Sequence, residues 1–120
     1  MGDAALWVSI ALAAVYLPAG LIKIVVPKNR LVSNSQFGWA AAVSDPMVKA
    51  IGAAEILGAV GVIAPRLTGV APVVGVAAAW GLAAVQIGAI VVHVRRREFA
   101  TLPINVVLLV LAVVLAVGLV

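Results

Sequence analysis

Residues 48–65 read VKAIGAAEILGAVGVIAP, and one acidic residue, Glu55, lies in the middle among Ile51, Ile56, Leu57, Val60, Val62 and Ile63. Eighteen residues of helix extend about 27 Å, close to the ~30 Å hydrocarbon core of a bilayer. The stretch is apolar on every side, so it reads as a helix whose solvent is lipid. An acid in that setting needs a partner, because a charge at the centre of a membrane helix costs about 2.5–3.5 kcal/mol on insertion scales.

The rest of the chain agrees with a lipid solvent. Of its 120 residues, 66% are hydrophobic and 10% charged, with a mean hydropathy of +1.30. A soluble domain carries roughly 25% charged residues, and so short a chain has too much surface to hide this much apolar side chain from water. Four apolar runs, 4–26, 47–64, 70–92 and 102–120, are each long enough to cross a membrane. Lipid offers nothing to open backbone groups, and the runs lack the alternation of barrel strands, so all four are expected to be helices. The expected architecture is all-α, a four-helix transmembrane bundle forming one domain over 1–120. The first run lacks a basic segment ahead of it and is kept as a span rather than a cleaved signal peptide.

Prolines and caps punctuate the runs. Pro46 opens the second with Ser44 or Asp45 as its cap, Pro65 is expected to close it, and Pro103 follows Thr101 at the start of the fourth. Pro18 is expected to kink the first helix. The one long connection, 27–46, is an amphipathic loop whose Leu31, Val32, Phe37 and Trp39 either dip into the headgroup layer or form a lid over a site between the helices.

The net charge of +4 reflects topology rather than a nucleic-acid face, since the basic residues lie between apolar runs. Lys28, Arg30, Arg95, Arg96 and Arg97 fall in the first and third connections, Lys49 lies close by, and the second connection holds only Arg66. The expectation is an inner (plasma) membrane protein with both termini outside and the basic loops 27–46 and 93–101 in the cytoplasm. The absence of Cys excludes disulfides and thiolate metal sites, and with one His no metal is expected.

Polar groups within the spans cluster by depth. Glu55 lies about 12 Å below the basic boundary of its helix, and Lys23 lies about three residues inside the first. Antiparallel helices place both in the same half of the membrane, within joint reach of their side chains. Gly52, Gly58 and Ala59 flank Glu55 and let a neighbouring helix approach closely. Tyr16 shares a stripe with Lys23, Gln86 and His93 lie seven apart on the third helix, and Asn105 begins the fourth from the same side. Two readings of Tyr16, Lys23, Glu55, Gln86, His93 and Asn105 compete. One is a polar lock holding helices in register; the other is a site that binds a small amphipathic molecule or moves a proton. His93, beside RRRE, also fits a plain interfacial position. No catalytic set is assigned.

LPAGLIKI at 17–24, Trp39 before VSDPMVKAIGAAEILGAVGVIAP at 43–65, and VVHVRRREFATLPINVVLLVLA at 91–112 resemble the DoxX-like family of small four-helix membrane proteins. The shared marks are Ala-Gly-x-x-Lys at 19–23, Ile-Gly-x-x-Glu-x-x-Gly at 51–58 and the His, Arg and Glu of 93–98. The resemblance implies an accessory subunit or a binding protein for a quinone or lipid-like molecule, with no cofactor specified. It excludes the redox chemistry of relatives with paired cysteines, since this chain has none. Expected partners are membrane lipids, a second copy packed on small-residue faces, or a redox complex, and no nucleic acid. The alternatives are a proton-coupled exporter, and an isomerase or oxidoreductase subunit with Glu55 as acid or base.

Overall fold

The computed structural model describes residues 3–69 and 71–118. Four helices long and apolar enough to cross a membrane form the bundle: α1 (Asp3–Val25), α3 (Asp45–Thr68), α4 (Pro72–Arg95) and α5 (Leu102–Ala116). Between α1 and α3 lie the single turn α2 (Lys28–Leu31) and a 3-10 segment, Ser35–Ala42; a second 3-10 turn, Phe99–Thr101, precedes α5. The outer surface is what lipid requires, with Trp7, Leu57, Val73, Trp80 and Ile87 among the exposed large apolar side chains.

Helix α3 is the hub, packing on α1 along one flank and on α4 along the other, while α5 packs on α4 and touches α1 much less. Glycines set the two close approaches. A Cβ at Gly20 would stand 2.6 Å from the Gly52 carbonyl oxygen, and one at Gly52 would stand 2.8 Å from that of Gly20, so the α1 and α3 backbones touch there. Between α3 and α4, from mid-span toward their turn, Gly58 receives Leu82 and Gly61 receives Ala78. The main core, including Leu12, Tyr16, Val62, Leu82 and Leu115, fills the end of the bundle that carries the termini. A smaller cluster of Leu31, Ala40 and Val48, with Phe37 and Trp39 packed on it, closes the basic end.

Several boundaries differ from the sequence expectation. Helix α3 does not stop at Pro65 but runs through it to Thr68, where Gly69, at φ 71°, donates its N–H to the Pro65 carbonyl over 2.8 Å. Proline in the last turn forfeits one backbone bond, and a left-handed glycine beyond it provides a better stop. Helix α4 starts at Pro72 and continues through His93 to Arg95, and the assigned helix α5 ends at Ala116. The expected start at Val70 and the end at Leu119 and Val120 lie outside the described residues. Ser44 caps α3, accepting from the Met47 N–H, whereas Thr101 makes no side-chain cap bond. Helix α1 is continuous through Pro18.

The segment expected as a loop over 27–46 is largely helical turns. Leu31 is buried, and Val32, Phe37 and Trp39 pack against the protein rather than standing free in the headgroup layer. Buried apolar neighbours on α3 offer these side chains more contact than an interface would. Lys28 secures the segment by donating to the Val43 carbonyl, and Lys49 of α3 donates to that of Ile24 at the end of α1. Ala71 precedes α4 in a left-handed conformation, φ 52°. Replacing it with glycine should relieve strain of about 1 kcal/mol, seen as a raised midpoint of thermal unfolding in detergent.

Candidate functional site

The end of the bundle opposite the main core is hollow. A cavity of about 510 Å³ lies there, and its lining includes Tyr16, Lys23, Glu55, Gln86, His93 and Asn105 together with Trp39. Every polar residue grouped from the sequence by depth is thus brought to one wall system, contributed by all four spans. The remaining lining is mostly apolar, including Val15, Met47, Ile51, Val85, Val92 and Leu108.

Lys23 and Glu55 form the centre. Lys23 Nζ lies 2.7 Å from Glu55 Oε1, and both side chains are buried, 9% and 6% exposed. That oxygen has no hydrogen bond beyond the ion pair among the described residues. The pair exists because α1 and α3 meet at Gly20 and Gly52, which lays the Lys23 stem directly on the α3 backbone. The amine is also 5.8 Å from the ring centroids of both Phe37 and Trp39, within the ~6 Å at which an aromatic face attracts a cation. The 3-10 segment therefore sits over the ion pair.

Two turns deeper along α1, Gln86 Nε2 donates to the Tyr16 hydroxyl over 2.7 Å, joining α4 to α1. The hydroxyl accepts that bond and keeps its own proton to donate. Asn105 is buried and, among the described residues, makes only a long contact of 3.5 Å to Thr101 Oγ1. These are groups able to meet a ligand carbonyl or hydroxyl without rearranging the bundle.

His93 is more than an interfacial residue. Its Nδ1 lies 3.0 Å from Glu98 Oε1, which Arg96 Nε also approaches to 3.2 Å. A Cβ at Gly38 would stand 3.4 Å from Arg96 Nη2, so the 3-10 segment rests on this turn. Partial desolvation works to raise the Glu98 carboxyl, but hydrogen bonds from His93 and Arg96, with their charges, outweigh it and hold the group below the ordinary 4.5. The stability this contributes is fully present above 4.5 and is lost as pH falls through the lowered folded value. Melting temperature followed during acidification should drop over that window in the wild type, and the Glu98→Gln variant should lack the drop.

Sequence reasoning missed Glu98 as the partner of His93, although five residues across a helix end is a spacing that brings such groups together. It also missed Ser9, buried in α1, which accepts from Arg66 Nε over 2.8 Å and so ties the end of α3 to α1. A lone Ser in one apolar span and an Arg at the end of another carry no sequence pattern that pairs them.

No curated protein and no solved structure matches the chain. Residues 7–115, which hold nearly all of the four spans together with the ion pair of α1 and α3 and the His93–Glu98 turn, match the model of the DoxX-like family, and the chain belongs to that family.

Proposed function

We propose that this DoxX-like membrane protein binds a lipophilic molecule bearing at least one hydrogen-bonding group, with the Lys23–Glu55 pair at its polar end. The observation that carries the reading is the largely apolar cavity of about 510 Å³ on which six polar side chains converge. Small-molecule sites have this form, an apolar chamber of about 300–1,000 Å³ with a few placed polar groups. A bundle that needed only a polar lock would close around its ion pair. Phe37 and Trp39 act as a lid, with the Lys23 amine beneath them. Quinones and lipid-like compounds belong to the ligand class. Among the described residues the cavity wall carries no serine, threonine or cysteine, and its carboxylate and imidazole are engaged by Lys23 and Glu98, which supports a binding or accessory role over catalysis. A carboxylate committed to an amine at 2.7 Å also counts against a freely titrating exporter. The end bearing Lys28, Arg30, Lys49 and Arg95–Arg97 is assigned to the cytoplasm on the excess of basic residues there.

Filling the cavity tests this. Purified wild-type protein should retain a lipophile through detergent exchange, detected by mass spectrometry of the extract. Ala89→Phe should lower its occupancy about tenfold while leaving the helix content intact, as expected when one side chain takes the ligand's volume. Glu55→Gln should weaken retention as well. Equal retention in both variants would refute the assignment.

A further inference from the structure

The cavity is not equally walled on all sides. From mid-span toward the α3–α4 turn two facing stripes are in contact, Gly58 against Leu82 and Gly61 against Ala78. Residues seven apart share a helix stripe, so on α3 the stripe of Gly58 continues to Ile51. On α4 the stripe of Ala78 continues to Val85 and Val92. Two turns toward the basic end these same stripes line the cavity. The glycine-packed contact of α3 and α4 thus gives way to the cavity toward that end.

The edges of that stretch are open. Met47 and Gly88 both line the cavity and are both exposed on the outside of the bundle. A Cβ at Gly88 would meet nothing within 4 Å. Gly88 lies seven residues inside the end of α4, hence about 10 Å within the span, at the level of acyl chains. The gap is apolar at its rim, with Met47, Ile51, Val85 and Val92, and polar at its depth, with Lys23 and Glu55.

We propose that the gap between α3 and α4 is a lateral portal, through which an amphiphile dissolved in the bilayer enters head first. Its hydroxyl or carbonyl reaches the Lys23–Glu55 wall, and its tail stays between the two helices and in the lipid. The ligand is therefore a membrane-borne amphiphile whose chain can be longer than the cavity, rather than a water-soluble solute admitted past Trp39. This rests on the binding role proposed above.

The probe is 12-bromododecan-1-ol, whose bromine quenches tryptophan. The background is Trp7→Phe with Trp80→Phe, both at exposed positions, which leaves Trp39 on the cavity wall as the reporter. Protein in phosphatidylcholine vesicles is mixed with vesicles carrying the probe, and both the rate and the final extent of quenching are read. In the parent, quenching should saturate. Gly88→Phe should slow it about tenfold or more, an effect on association rather than on the bound state. Gly81→Phe lies on the same stripe, also with open space around it, but outside the cavity, and should leave the rate unchanged. An unaltered rate in Gly88→Phe, or an equal slowing in Gly81→Phe, overturns the portal while leaving the binding role standing. A parent in which quenching never saturates overturns both.

Discussion

Replacing Lys23 with Met is expected to destabilise the bundle by about 3–5 kcal/mol, because it leaves the Glu55 carboxylate buried without its cation. The structure specifies why no substitute is at hand. Glu55 Oε1 has the amine at 2.7 Å and no other hydrogen-bonding partner among the described residues. Solvent does not reach the pair freely, since Phe37 and Trp39 lie across the amine. Combining Lys23→Met with Glu55→Gln should restore most of the loss, since an amide needs no counter-charge. Unfolding by a denaturing detergent, followed by circular dichroism in all four members of the cycle, measures the coupling. A double variant no better than Lys23→Met would show that the lysine matters through its packing on Gly52 instead.

The second large effect concerns the α1–α3 contact. Gly52→Val should cost at least about 3 kcal/mol, at the upper end of overpacking penalties, and should separate Lys23 from Glu55. The obstacles to a new side chain are the Gly20 carbonyl oxygen at 2.8 Å and the Lys23 Cβ at 2.9 Å. The first is backbone and cannot rotate away, so the helices themselves must move apart. Gly81→Ala and Gly88→Ala face open space and should instead stabilise their helix by about 0.5–1 kcal/mol, the ordinary advantage of Ala over Gly. Melting temperatures of the three variants, measured side by side, separate a glycine needed for approach from one that is merely present. A Gly52→Val protein melting with the wild type would remove the close contact from this account.

The two effects meet at one place. The ion pair is formed because glycine backbones let α1 and α3 touch, and the hollow lies on the basic side of the close α3–α4 contact at Gly58 and Gly61. A single helix thus carries a tight flank and an open flank, and Glu55 lies between them. Ile51, on the stripe of Gly58, lines the hollow, whereas Gly52, one residue further on, packs against Gly20. The same asymmetry separates a stable apex near the termini from an accessible chamber at the basic end.

Much of this was readable in the residues alone. The four spans follow from apolar runs too long and too many for a small soluble core, since water excludes such surface whatever its arrangement. The meeting of Lys23 with Glu55 follows from chain connectivity and a constant rise per residue, which place both at one depth and leave a charge no cheaper option. Depth, in short, is local arithmetic. Which flank of α3 would close and which would open was not local. It depends on the fit of Leu82 into Gly58 and of Gly20 against Gly52, small differences among many dispersion contacts that no single residue type announces. The folding of 28–42 over the amine and the pairing of His93 with Glu98 belong to the same class. Each required knowing where two segments, unlinked by any periodic pattern, come to rest against each other.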